Sequence, residues 1–140
     1  MKFSIKNHLE ELETLAVRLS AFGEREGLSP LIVQQMNLAL DELVTNAIEY
    51  GYDEDVEGTI EIELDCDEEK FTAVMSDDGR PFDPFESGAS EETLSDEASG
   101  IGVFLVRQLM DEFSYKREKN RNRIVLLKWL HSEEERKSKK

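Results

Sequence analysis

Apolar residues recur along the chain at two spacings, and each spacing predicts one kind of element. Phe3 and Ile5 alternate with polar neighbours, which predicts a short first strand. Spacings of three and four then predict a helix that ends near Gly23 and Gly27. The apolar positions of this helix are Leu9, Leu12, Leu15, Ala16, Leu19 and Phe22.

A second helix is predicted from Leu31 to Tyr50. Ser29 is a suitable N-cap and Pro30 suits the first helical position, while Gly51 is expected to stop the helix. Its apolar face is formed by Leu40, Leu43, Val44, Ala47 and Ile48. On this periodicity Glu42, Asn46 and Glu49 fall on roughly the opposite face, away from the core.

Two strands follow the second helix. Ile60, Ile62, Leu64 and Cys66 alternate with polar residues, which is typical of a half-buried strand. A return strand carries the apolar residues Phe71, Ala73 and Met75. This return strand places Asp77 at its end.

The sequence after Asp77 predicts a loop, a helix and two more strands. The polar segment up to Ser99 has no periodicity, and a loop of this length is typical of a functional segment or of disorder. Gly100 opens a third helix, and 113–117 and 123–130 are predicted strands. The basic residues between and within these strands indicate a solvated hairpin turn. They are Lys116, Arg117, Lys119, Arg121 and Arg123.

This element order predicts an α/β two-layer sandwich, with a mixed, mostly antiparallel sheet and the helices on one face. Residues 1–131 form a single expected domain, and 132–140 a charged tail that is expected to be disordered.

Charge and composition narrow the possible functions. The formal net charge is −15, from 32 acidic and 17 basic residues, which argues against general nucleic-acid binding and favours a partner with a basic surface. No apolar run approaches the roughly 20 residues that span a bilayer. The single cysteine and the absence of a signal-peptide pattern favour the cytoplasm.

The stretch from Ser76 to Met110 carries the candidate chemistry. An acidic residue at a strand end suits a ligand with hydrogen-bond donors, such as an adenine amino group. A glycine-rich helix start presents free backbone N–H groups, which bind anions such as phosphate. With a long loop between them, the stretch predicts a nucleotide site covered by a lid.

Three motifs stand in order along the chain: Glu42-x-x-x-Asn46 on a helix, Asp77-x-Gly79 at a strand end, and Gly100-x-Gly102 at a helix start. In this combination the chain resembles the GHKL ATPase superfamily of gyrase-type topoisomerases, ninety-kilodalton heat-shock chaperones and histidine kinase catalytic domains. Within it, the chain is most similar to the bacterial anti-sigma factor serine/threonine kinases. The resembling segments are 38–50, 77–84 and 100–107, and the resemblance extends from about Phe3 to about Leu130.

The resemblance implies a role for each matching residue on the second helix and at the strand end. Asn46 would coordinate a Mg²⁺ ion that bridges the phosphates of ATP, and Glu42 would be the general base. Asp77 would accept a hydrogen bond from the adenine amino group. Gly79 would allow close packing against the base. Pro81 stands where the superfamily often has a further glycine.

The resemblance also implies how the phosphates are held. The backbone around Gly100, Ile101, Gly102 and Val103 would bind phosphate. The segment from Asp83 to Ser99 would close over the nucleotide as a lid.

The activity implied by the resemblance is ATP- and Mg²⁺-dependent phosphorylation of a serine on a small antagonist protein. The same chain would bind a sigma factor and hold it inactive, as a homodimer without direct contact to nucleic acid or membrane. Three alternatives stay open: a module that sequesters a partner without phosphotransfer, a kinase-like regulator whose partner is not a sigma factor, and an unrelated α/β domain.

Overall fold

Eight elements make up the computed structural model, which describes residues 1–85 and 98–131. They are β1 (Lys2–Lys6), α1 (Glu11–Glu26), α2 (Pro30–Gly51), β2 (Thr59–Cys66), β3 (Lys70–Asp77), α3 (Ala98–Leu109), β4 (Glu112–Glu118) and β5 (Arg121–Trp129). The order of strands and helices is the predicted one. Most of the expected lid and the tail at 132–140 lie outside the described residues.

The five strands form one sheet in the order β1-β2-β3-β5-β4. Each pairing within the described sheet is antiparallel, so the expected mixture of strand directions is not present in it. β5 lies between β3 and β4, which gives it two neighbours and accounts for its run of apolar residues. The predicted α/β fold class is confirmed.

The core lies between the sheet and the helices. Alternate residues of the strands are almost fully buried, including Ile60, Ile62, Leu64, Phe71, Met75 and Leu126. They pack with buried residues of α1 and α2, including Leu15, Leu19, Phe22, Met36, Leu40 and Leu43. Burying one such side chain stabilises the fold by about 1.5–3 kcal/mol. The periodicity read from the sequence therefore selects most core positions, but it is wrong for Leu9, which precedes α1 and is 54% exposed.

Local signals fix the junction between α1 and α2. Gly27 adopts a left-handed conformation with φ 70°, which ends α1, and its amide donates to the carbonyl of Glu24. Ser29 caps α2 by accepting a hydrogen bond at 3.2 Å from the amide of Ile32. The short connection makes the two helices neighbours.

The predicted stop at Gly51 is wrong in one respect. Helix α2 does end at Gly51, and Tyr52 follows as the C-cap with an extended backbone. Gly51 has no left-handed backbone, so glycine is not needed here to reverse the chain. The carbonyl of Gly51 takes part in a tertiary contact described below.

The basic residues near the end of the chain lie on a hairpin, as predicted. Lys119 and Asn120 have φ of 52° and 62°, which is the geometry of a tight turn between β4 and β5. Among residues 1–85 and 98–131, the length and apolarity required of a membrane-crossing helix are not reached.

Candidate functional site

Asp77 is the last residue of β3 and lies opposite Ile60 of β2 and Asn122 of β5. It is only 3% exposed. Its Oδ1 accepts hydrogen bonds from the amide of Gly79 and from Nδ2 of Asn122, each at 2.9 Å. Burial raises the pKa of the Asp77 carboxyl, and these two hydrogen bonds act in the opposite direction. A buried acceptor of this kind is suited to a ligand that brings hydrogen-bond donors.

Asn122 holds this part of the site together, and sequence reasoning missed it. Besides its bond to Asp77, its Nδ2 donates to the carbonyl of Arg80 at 2.8 Å. Its Oδ1 accepts from the Tyr115 hydroxyl at 2.6 Å and from the Phe82 amide at 3.3 Å. The available signal was its position, because Asn122 takes an inward place in the alternation of β5 and is 3% exposed.

Gly79 lies where the end of β3 meets the end of α2. A Cβ atom at Gly79 would lie 2.7 Å from the carbonyl oxygen of Gly51, closer than such atoms can approach. The same carbonyl accepts a hydrogen bond from the amide of Arg80 at 2.8 Å. Arg117 donates to the carbonyl of Gly79 at 2.8 Å. Gly79 is therefore required by a backbone contact between two elements.

Asn46 was predicted on the face of α2 away from the core, and this is wrong. It is 4% exposed, and this side of α2 faces a pocket formed with β3, β5 and the segment after Gly79. Its Nδ2 has no hydrogen-bond partner among the described residues. Asn46 and Asp77 line the same pocket, so the structure brings together two of the predicted site residues. The pocket is lined by Leu43, Asn46, Ala47, Gly51, Met75, Asp77, Phe82, Pro84, Asn122 and Ile124.

Glu42 lies one helical turn before Asn46 and is half-buried. Burial raises the pKa of its carboxyl, and the negative charge of Glu49 adds to the effect. Its carboxylate lies against α3 at Gly102, where a Cβ atom would come within 2.1 Å of Oε2. A carboxyl whose pKa is raised is better suited to accept a proton near neutral pH.

The predicted phosphate-binding residues lie near the start of α3. The helix begins at Ala98, two residues before the predicted start, so Gly100 and Ile101 lie in its first turn. Val103 is fully buried and anchors α3 in the core. Helix first turns carry backbone N–H groups without partners inside the helix, which is the property that the phosphate prediction requires. The prediction is wrong for Gly102 and Val103, because a helix that begins at Ala98 pairs their amides with carbonyls of its own first turn.

Two aromatic residues beyond Gly79 pack against other elements, and one of them, Phe82, lines the pocket. Phe82 stacks on Tyr50 of α2 with ring centres 5.2 Å apart. Phe85 packs against Phe113, with the guanidinium of Arg107 4.7 Å from its ring centre. The expected lid begins within this packed segment, and its continuation at 86–97 lies outside the described residues.

Comparison with known proteins gives a family and a set of relatives. Residues 5–129 match the family described as histidine kinase-like ATPase domain. The chain is 26% identical over 125 residues to the serine-protein kinase RsbW of Listeria innocua, covering 83% of this chain and 78% of the relative. It is 27% identical to the serine-protein kinase RsbW of Staphylococcus epidermidis, covering 91% and 84% respectively.

Solved structures share the fold. The crystal structure of the RsbU and RsbW domains of Rv1364c from Mycobacterium tuberculosis superposes with a TM-score of 0.63. The superposition covers 94% of this chain and 33% of that longer chain, at 17% sequence identity. The match extends over nearly all of the sheet and helices described above, and the chain belongs to the family of histidine kinase-like ATPase domains.

Proposed function

We propose that this chain is a Mg²⁺-dependent protein serine kinase that uses ATP and also holds a sigma factor inactive. One observation carries the proposal: Asn46 and Asp77, from separate elements, line one pocket, with Glu42 one turn from Asn46. The names of the relatives, which are serine-protein kinases, support the choice of phosphoryl acceptor.

The nucleotide base would bind at the pocket between β3, β5 and α2, which is narrow in this structure and would have to widen to admit it. The Asp77 carboxylate would accept a hydrogen bond from the adenine amino group, and the backbone at Gly79 would lie close to the ring. Apolar side chains of the pocket wall, Met75 and Ile124 among them, suit the faces of an aromatic base. Asn122 would keep Asp77 in place through its hydrogen bond.

The phosphates would lie between α2 and the start of α3. Backbone amides in the first turn of α3, those of Gly100 and Ile101 among them, would bind them. Asn46 would hold Mg²⁺ through its amide oxygen, which is a ligand type that this ion accepts. The ion would supply neutralisation of the phosphate charge.

In the reaction, Glu42 would accept the proton of the substrate serine hydroxyl while the serine Oγ attacks the γ-phosphorus of ATP. The new bond joins Oγ to phosphorus, the bond to the bridging oxygen breaks, and ADP leaves. Burial of Glu42, which raises its pKa, supports this assignment because it moves the carboxyl toward neutral pH.

The protein partners follow from the same proposal. The serine would belong to an antagonist protein, whose phosphorylation prevents it from releasing the sigma factor. The net charge of −15 favours a partner surface that is basic. The proposal includes a homodimer in the cytoplasm, as the family resemblance implies.

Titration calorimetry with ATP and Mg²⁺ tests the nucleotide site. We expect saturable binding to the parent chain and binding at least about tenfold weaker in both variants, because Asp77→Asn removes the charged acceptor of the adenine amino group and Asn46→Ala removes the side chain that would hold Mg²⁺. Asp65→Asn, an exposed acid on β2, is the matched control and should bind like the parent. If the parent chain did not bind ATP at millimolar concentration, the proposal would be wrong.

Transfer of labelled phosphate to a cognate antagonist tests the reaction. Glu42→Gln should lower the rate by roughly 10²–10⁴-fold, the usual contribution of a general base. Glu63→Gln, an exposed residue of β2, is the control. Unchanged transfer in Glu42→Gln would show that the base is assigned wrongly. Partner binding without any transfer by the parent would instead favour a sequestering module that binds ATP.

A further inference from the structure

Gly102 of α3 lies directly against the side chain of Glu42. A Cβ atom at Gly102 would be 2.1 Å from Oε2, 2.9 Å from Cδ and 3.5 Å from Cγ of Glu42. Separations below about 3 Å do not occur between packed atoms, so one of the two groups would have to move. The bare Cα of Gly102 therefore forms the surface on which the Glu42 carboxylate rests.

Packing in the core determines whether helix α3 or the Glu42 side chain would move. Val103 and Val106, on the same helix, are fully buried, and α3 packs along α2. Moving the helix would disturb this packing, whereas the Glu42 side chain has rotatable bonds up to its carboxylate. A side chain at position 102 would consequently displace the carboxylate and leave the helix in place.

We infer that Gly102 is a positioning residue, which fixes the location of the Glu42 carboxylate by leaving room for it against α3. The inference rests on the proposed function in so far as Glu42 is the general base. It assigns Gly102 a role through another side chain, in addition to any contact between its backbone and phosphate.

Two roles of Gly102, a contact with phosphate and a contact with Glu42, can be distinguished by shortening the side chain at position 42. Aspartate at position 42 retracts the carboxylate by one methylene, roughly 1.5 Å, and would open room for a methyl group at position 102. If Gly102 acts on Glu42, its replacement by alanine is harmful with Glu42 and nearly harmless with aspartate. If Gly102 acts only on phosphate, the loss is the same in both backgrounds.

The experiment is a double-mutant cycle of Gly102→Ala and Glu42→Asp, measured as phosphotransfer to the antagonist and as ATP affinity. With Glu42, alanine should lower kcat by roughly 100-fold, as a displacement of about 1 Å at a reacting group does. With aspartate, the further loss should stay below about threefold. Any change in ATP affinity caused by Gly102→Ala should be the same with glutamate and with aspartate at position 42, because a backbone contact with phosphate does not involve that side chain. Equal losses in both backgrounds would overturn the inference.

A second measurement tests the contact without relying on kinase activity. In protein with ¹³C-labelled glutamate carboxyl groups, the Glu42 resonance can be identified because it is missing from Glu42→Gln. This resonance should shift in Gly102→Ala and stay in place in Gln108→Ala, an exposed site on the same helix. An unshifted resonance in Gly102→Ala would disprove the contact. If the resonance shifts in Gly102→Ala but the parent chain transfers no phosphate, the contact between Gly102 and Glu42 is supported and the proposed function is wrong.

Discussion

Polar residues buried in an otherwise apolar core mark the site at the level of single residues. Among the described residues, the buried polar ones are Asn7, Asn46, Asp77 and Asn122, and the last three line one pocket. Burying polar groups is unfavourable unless their hydrogen bonds are satisfied. Asp77 is partly satisfied and Asn46 retains an unpartnered atom, so these residues lower stability in the absence of ligand.

A prediction on stability follows for Asp77→Asn. At about pH 7 the free energy of unfolding of the variant should be about 1 kcal/mol higher than that of the parent. Other changes that relieve strain at functional sites stabilise proteins by a similar amount. The asparagine oxygen can still accept from Gly79 and Asn122, while the charge that burial disfavours is removed. Urea unfolding of both proteins measures the difference.

The stability difference between Asp77→Asn and the parent should depend on pH. Burial raises the pKa of Asp77 in the folded chain above its ordinary 3.8, so the folded state is stabilised by protonation. Stability from this group is complete below pH 3.8 and is lost as pH rises through the folded pKa. The advantage of Asp77→Asn should shrink as pH is lowered from about 7 to about 4. A gap that does not change with pH, or a less stable variant at pH 7, would contradict this account.

At the level of elements, the C-terminal end of α2 meets the end of β3 through two glycines that are not equivalent. A Cβ at Gly79 would collide with the carbonyl oxygen of Gly51 at 2.7 Å. A Cβ at Gly51 would find its nearest neighbour, the Cα of Gly79, at 3.9 Å, which is an ordinary contact. The junction therefore requires glycine at position 79 and tolerates a methyl group at position 51.

The matched pair Gly79→Ala and Gly51→Ala tests this asymmetry. Gly79→Ala should weaken ATP binding by at least about tenfold and destabilise the fold by about 1–3 kcal/mol, because the backbone of the junction must shift. Gly51→Ala should stay within about 1 kcal/mol of the parent. Calorimetry and urea unfolding give the two quantities. Similar effects from both substitutions would show that the junction is not as close as described.

At the level of the whole molecule, the excess of acidic residues opposes folding. With 32 acidic and 17 basic residues, mutual repulsion in the compact chain exceeds that in the unfolded one. Raising NaCl from about 0.05 to about 0.5 M should screen this repulsion and increase the free energy of unfolding near pH 7. Urea unfolding at each salt concentration measures the change.

The control for the salt effect is the same measurement made at the isoelectric point. Near pH 4.5, where the net charge is small, the same increase in NaCl should change stability far less than at pH 7. An equal response at both pH values would indicate an effect of salt on apolar burial.

Much of the fold could be predicted from local patterns. The order of the eight elements, the N-cap of α2 at Ser29 and the left-handed exit of α1 at Gly27 follow from spacing and capping within a few residues. The basic hairpin and the placement of Asp77 at the end of β3 do so as well. Such signals are readable because helix and strand periodicity and caps involve residues that are near neighbours in the chain.

The sequence by itself determined the elements, their core faces and the candidate motifs on them, since these depend on short-range order. Only the tertiary structure decided how those motifs meet. Asn46 is buried because α2 packs against β3 and β5, Asn122 joins the site because β5 pairs with β3, and Gly102 contacts Glu42 because two helices pack together. Each of these contacts joins residues far apart in the chain, and long-range packing leaves no periodic mark in the sequence.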